Sequence, residues 1–212
     1  TGIVEKVIED LKYIGVKNIF VRSTVPVGFC ESHEVNFMPE FLTEKNWQQD
    51  VRNCKNWVVG LNDSEDQQCK DKIKRMLINA KRENKIKHVA ISYCSTSEAE
   101  LTKNVINSFL ATKVSFFNEI EDFCRRKAIN YENVRHLVAQ DKRIGHSHTY
   151  VPGPDGKRGF GGTCFPKDVS SLITQMIDCG LMSYVLIAAR NRNIDIDRPE
   201  KDWSQDKGRA VI

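Results

Sequence analysis

The segment from 95 to 127, "STSEAELTKNVINSFLATKVSFFNEIEDFCRRK", contains neither glycine nor proline and keeps helical periodicity throughout. It predicts one long helix, and Ser97 followed by Glu100 offers a capping box at its start. Apolar residues at 101, 105, 106, 109, 110, 114, 116, 117, 120 and 123 wrap more than half of the helical wheel. A helix of that kind is buried on several sides, as a domain connector or a subunit contact would be.

Before this helix the pattern alternates. An amphipathic stretch, with Ile3, Val4, Val7, Ile8 and Leu11 on one side, stops at Gly15. Then come "KNIFVRST", "EVNFMPEF" and "NWVVGL", a helix over "DSEDQQCKDKIKRMLINAKRE", and a final strand "IKHVAIS". Short β-branched runs between amphipathic helices predict an α/β fold with a parallel sheet, and such sheets bind ligands at the carboxyl ends of their strands. The phosphate-binding GxGxxG that opens a complete dinucleotide fold does not occur in the sequence. Beyond the long helix come a shorter helix over "YENVRHLVAQD", a Gly- and Pro-rich loop, a helix from about 166 to 178, another from about 181 to 196, and a polar tail. A loop of that length inside a folded domain is usually functional or disordered. The expected organisation is therefore 1–94 as a partial α/β domain, 95–193 as an all-α domain, and 194–212 as a tail.

Composition narrows the function. The net charge of +4 is too small to argue for nucleic acid without a basic stripe, and "KIKR" and "CRRK" lie at helical spacing among apolar residues, as solvated helix faces do. Seven cysteines with no CxxC pair disfavour a disulfide framework or a zinc cluster. With neither an apolar run of 18 residues nor a signal peptide in the sequence, the expected compartment is the reducing cytoplasm.

The richest chemistry is in "GFGGTCFPKD", residues 159 to 168. Pro166 suits the first turn of a helix, and Val169, Leu172, Ile173, Met176 and Ile177 supply its buried stripe. Cys164 is thus expected at a helix N-terminus beside Lys167, where unpaired backbone N–H groups and the lysine charge both favour a thiolate. Glycines 159, 161 and 162 are expected to clear an approach to the sulfur. Asp168, in the first helical turn, is placed to orient Lys167 or a water.

Five separated motifs, "RSTVPVG" at 22–28, "MPEFLTE" at 38–44, "EAELTKNVINSFLATKVSFFNEI" at 98–120, "DKRIG" at 141–145 and "GFGGTCFPKD", occur in an order that resembles the UDP-glucose/GDP-mannose dehydrogenases. The resemblance implies a partial Rossmann-like NAD-binding domain over 1–94, a central helical dimerisation and substrate domain over 95–193, and a chain without the family's GxGxxG unit and C-terminal nucleotide-binding domain. It also implies oxidation of the C6 alcohol of a nucleotide sugar, UDP-glucose above all, to a carboxylate with two NAD+ in succession.

Position by position, the resemblance makes Cys164 the nucleophile that holds the intermediate as a thiohemiacetal and then a thioester. Lys103 stabilises oxyanion charge, and Asn107, four residues on along the helix, meets the same substrate oxygen. Glu40 takes protons and assists thioester hydrolysis, Thr24 orders the catalytic water, and Asp168 positions water or the sulfur's partner. Phe41, Leu42, Glu44, Tyr150, Gly159, Phe160 and Gly161 lie in motifs that hold the substrate, and Arg143 reaches the sugar of a neighbouring subunit, which implies a homodimer. Ser23, Thr24 and Val25 touch the nicotinamide half of NAD, with Glu44, Cys164 and Lys167 as further cofactor contacts. Lys157 or Arg158 could meet phosphate charge. His146 and His148 in "HSH" lack a third metal ligand nearby and read as loop polar residues.

Met38 replaces the asparagine usual before "PEF", and Lys45 replaces a glycine after the second glutamate. Without GxGxxG, weak or no NAD binding by this chain alone is expected. Two other readings differ in class: a non-catalytic module that dimerises or pairs through the long helix, and a cysteine hydrolase, for which no motif supplies a histidine base.

Overall fold

The structure, a computed structural model, describes residues 2–43 and 46–204. Glu44, Lys45 and the last eight residues of the tail, 205–212, lie outside the described residues. Backbone contacts divide the chain into two units, 1–103 and 104–212.

The first unit is α/β. Its sheet runs β1 (Phe20–Val21), β2 (Asn36–Phe37), β3 (Asn56–Leu61) and β4 (Ala90–Ser95), in that spatial order. β1 and β2 are parallel, as are β3 and β4, whereas β2 meets β3 antiparallel through the single pair Phe37↔Gly60. The sheet is therefore mostly parallel, with one antiparallel contact that short β-branched runs do not announce. β3 and β4 pair over six residues, from Asn56↔Ala90 to Leu61↔Ser95. That register starts β4 four residues later and ends it three residues later than the run "IKHVAIS" suggests. Ile86 serves instead as a buried plug beside Trp57, Val59 and Leu61.

Period-two alternation puts core on both faces of this sheet. Phe37 and Val21 join Ile8 of α1 (Gly2–Tyr13), Phe29, Cys30 and Ala99 on one face. Met38, Trp57, Val59 and Leu61 join Cys69, Ile73 and Leu77 of α4 (Gln67–Arg82) on the other. Asp66 caps α4 by accepting the Cys69 N–H at 2.8 Å. Two short helices, α2 (Phe29–Ser32) and α3 (Trp47–Asn53), complete this unit.

The long helix is α5 (Thr96–Arg126), of 31 residues. Its cap lies two residues earlier than the expected Ser97–Glu100 box. Ser95 and Glu98 form it, with the Ser95 N–H and hydroxyl both donating to Glu98 at 2.8 Å. The two hydrogen bonds hold the Glu98 carboxyl below its usual range.

In the second unit, α5 is followed by α6 (Tyr131–Ala139), the long loop, α7 (Phe165–Asp178) and α8 (Tyr184–Arg192). The expected helix at 181–196 starts later and changes character at Asn193, where a π-helical turn runs to Asp197. Ala111, Phe160, Val169 and Ile173 form the core here. Charge ties the loop to the π turn and to the residues just past it. Arg158 pairs with Glu121, with Asp122 at 2.9 Å and with Asp197 at 3.5 Å, and Arg198 pairs with Asp155 at 2.7 Å and Asp202 at 2.6 Å.

Candidate active site

In the first unit the predicted residues gather around the ends of β1 and β2. Ser23 is exposed and Thr24 half-buried, just past β1 at the carboxyl end of a parallel strand, with Val25 in the core. Met38 is buried rather than bordering open space, so this departure from the family pattern serves the core. Glu40 is exposed, and Phe41 and Leu42 are half-buried. Lys103, only 5% exposed, donates to the Glu40 carbonyl oxygen and lies 5.5 Å from the centroid of the Phe41 ring. A buried ammonium held by a carbonyl and an aromatic face is not a solvated surface lysine.

One residue here escaped the sequence reading except as a cap. Glu100, fully buried one turn before Lys103 on α5, accepts the N–H of Gly28 at 2.6 Å and that of Cys30 at 2.8 Å. It fastens the turn after Thr24 and Pro26 to the helix that carries Lys103. Burial and the adjacent Glu100 carboxylate push the Cys30 thiol far up, so Cys30 is inert packing.

In the second unit Cys164 is the N-cap of α7, with Pro166 in the first turn, as expected. Its thiol is half-buried, and the Thr163 hydroxyl is 3.9 Å from its sulfur. Asp168, fully buried, donates its N–H to the Cys164 carbonyl at 2.9 Å. One of its carboxylate oxygens accepts from Asn107 Nδ2 at 2.5 Å, and the other pairs with Lys167 at 2.9 Å. Asn107, Asp168 and Lys167 thus form one array at the base of the cysteine's helix, and the lysine charge is turned toward Asp168.

Two of the three glycines have another purpose than clearing an approach. A Cβ on Gly159 would lie 2.2 Å from Asn193 Oδ1, and one on Gly161 would lie 2.4 Å from Arg198 Cζ, so the protein's own packing demands glycine at both. Only Gly162, at φ +70° with nothing near its missing side chain, faces open space. Phe160 is buried in the core. Arg143, its side chain 89% exposed, pairs with Asp141 at 2.6 Å. Tyr150, exposed, carries the Arg135 guanidinium 3.8 Å from its ring centroid. Lys157 and Arg158 are both paired with carboxylates, Lys157 with Asp202 at 2.6 Å. His148 is half-buried against Phe165, and burial and nearby Lys113 lower its pKa. Among the described residues no group of three His, Cys, Asp or Glu side chains could hold a metal ion, and no helix is long and apolar enough to cross a membrane.

Residues 97–195, which carry Lys103, Asn107, Cys164 and Asp168, match the central domain of the UDP-glucose/GDP-mannose dehydrogenase family. The chain belongs to this family. It is 34% identical over 183 residues to a UDP-glucose 6-dehydrogenase of Rickettsia prowazekii, and 33% identical over 189 residues to one of Pseudomonas aeruginosa. These alignments take in 79% and 81% of this chain and 39% of each relative, so the chain spans about two fifths of the length of the curated relatives it matches. Among solved structures, a UDP-glucose dehydrogenase from the archaeon Pyrobaculum islandicum aligns with a TM-score of 0.67 and 28% identity, covering 83% of this chain and 40% of that one.

Proposed function

We propose that this chain carries part of the machinery of an NAD-dependent nucleotide-sugar oxidoreductase that converts the C6 alcohol of UDP-glucose to a carboxylate, with Cys164 as its covalent residue. The observation that carries the reading is the buried Asp168 behind Cys164, held by Asn107 on one side and Lys167 on the other. A carboxylate taken out of water, with one hydrogen-bond donor and one ion-pair partner, on the first turn of the helix that a cysteine caps, supports a reaction centre there. The hydroxyls of Ser23 and Thr24, at the end of a parallel strand, fit a nicotinamide. The amides of Gly28 and Cys30 in the next turn are already bound by Glu100 and offer nothing to a pyrophosphate. Ser23, Thr24, Val25, Cys164 and Lys167 are the described residues that would hold the cofactor. When bound, NAD supplies two hydride acceptances in succession.

On this reading Lys103 steadies the C6 oxygen as its proton passes to Glu40 and C6 gives up the first of the two hydrides, which leaves an aldehyde. Cys164 Sγ adds to the carbon of the resulting aldehyde, and the thiol proton ends on the former carbonyl oxygen. Loss of a hydride from C6 and of that proton leaves a thioester on Cys164. Water, ordered by Thr24 and Asp168, then breaks the C–S bond and releases the carboxylate and the thiol. Assay of UDP-glucuronate and NADH with UDP-glucose and NAD+ tests this: Cys164→Ser should abolish acid formation, and a variant that formed acid at the parental rate would sink the assignment.

A second reading has its own support. Phe109, Phe116 and Phe123 recur every seven residues along α5 and are 65%, 56% and 56% exposed. An apolar row at heptad spacing suits a second copy of the chain, so the reading includes a homodimer through α5. Sedimentation that finds only monomers at assay concentration removes it.

A further inference from the structure

The loop that leads to Cys164 has little bulk of its own between Gly159 and Thr163, apart from the ring of Phe160. It is held by the π turn Asn193–Asp197 and by Arg198, the next residue along. Asn193 is fully buried, and its amide grips a single loop residue at both ends. Oδ1 accepts the Phe160 N–H at 2.7 Å, and Nδ2 donates to the Phe160 carbonyl at 2.9 Å. That is the pairing a neighbouring strand would supply, made here by one side chain.

Asn118 of α5 adds a third bond, its Oδ1 accepting the Gly159 N–H at 3.2 Å. Arg198 closes the π turn by donating its N–H to the Asn193 carbonyl at 2.8 Å. Its guanidinium, paired with Asp155 and Asp202, packs so closely that any Cβ on Gly161 would meet it at 2.4 Å. In a regular α-helix residues five apart point about 140° away from each other around the axis. The wider π turn bonds them directly, which lets Asn193 and Arg198 both reach the Gly159–Gly161 stretch.

We infer that Asn193 and Arg198 are positioning residues that set the backbone of the thiol loop, and through it the exposure of Cys164 Sγ. The catalytic importance of this rests on Cys164 being the covalent residue; the geometric effect does not. The grip acts four residues ahead of the thiol, and Phe160 is packed against Val169 and Ile173 of the helix that Cys164 caps. Releasing Phe160 therefore frees both the loop and its seat.

Alkylation of the chain by iodoacetamide, resolved by peptide mass spectrometry, tests the inference. Cys179 is exposed at the far end of the same helix and serves as the internal reference. Asn193→Ala should raise the Cys164 to Cys179 ratio about fivefold, the local opening expected when hydrogen bonds to a buried peptide are lost. Asn193→Asp, which keeps an acceptor for the Phe160 N–H but no donor, should raise it less. Gly161→Ala, whose methyl would displace the guanidinium, and Arg198→Ala, which removes it, should each raise the ratio as well. Those two variants decide the matter if Asn193→Ala does not fold. A ratio unchanged in either Gly161→Ala or Arg198→Ala overturns the inference. Acid formation that survives Cys164→Ser would overturn the dehydrogenase reading and leave this ratio as it is.

Discussion

Removing the Glu100 carboxylate should loosen the turn after Thr24 more than any nearby change of equal size. In the folded chain this carboxylate is fully buried and accepts from two backbone amides, Cys30 in the interior and Gly28 part-buried. Glu100→Ala orphans both, and a buried donor without a partner costs ~1–3 kcal/mol. Weighting the Cys30 amide fully and the Gly28 amide by half gives a loss of about 3 kcal/mol, or roughly two powers of ten in the population of the open turn. Glu100→Gln keeps one acceptor oxygen but turns an NH2 toward the other amide, and should lose about half as much. Because the chain has two units, a single unfolding midpoint is a poor measure. Native-state hydrogen exchange at the Gly28 and Cys30 amides reads the turn itself. If both amides in Glu100→Ala exchange within about threefold of the parent rate, the carboxylate does not hold the turn and the reasoning fails.

The geometry sets two further outcomes. At Gly60→Ala the new methyl would lie 2.8 Å from the Ala99 Cβ and 2.9 Å from the Thr96 Cα, and because part of that obstacle is backbone the variant should lose about 1–3 kcal/mol, seen as a lower melting temperature of the first unit. His148 has a folded pKa below its unfolded value, from burial and Lys113, so the unfolded chain binds the extra proton more readily. Its contribution is present above about pH 6.5 and is lost as the pH falls toward the folded value; melting curves of the parent should drop more steeply between pH 7 and 5 than those of His148→Asn, and equal slopes would contradict this.

Long elements with strong periodicity were legible in the sequence. Residues 95–127 form α5 over 96–126, "NWVVGL" is β3, and the Pro166 signal marks the start of α7. Strand ends and short elements were not, because a two-residue strand such as β1 is defined by its partner rather than by its own residues. The same holds for β4, whose position is dictated by pairing with β3. The cap on α5 was misplaced by two residues because two Ser-x-x-Glu patterns overlap, and burial alone separates the capping Glu98 from the core Glu100. At the thiol loop the residue types pointed to Cys164 and Asp168, but not to Asn193. A π turn has no periodic signature, and an asparagine near a helix end reads as an ordinary cap. For the same reason Gly159 and Gly161 looked like room for a ligand when they are room for Asn193 and Arg198.

β4 ends at Ser95 and α5 begins at Thr96, with no connecting residue between them. A strand that slips by one residue turns its side chains to the opposite face, and a helix that advances by one residue rotates its side chains by about 100°. With nothing between the two to absorb the change, an error in pairing β3 with β4 becomes an error in the azimuth of α5. Lys103, two turns along, would then swing away from the Glu40 carbonyl and the Phe41 ring. The six paired residues of an ordinary-looking sheet edge are in effect the dial on which the lysine is set, and insertions of a single residue at 95–96 should be tolerated far worse than the exposure of Ser95 suggests.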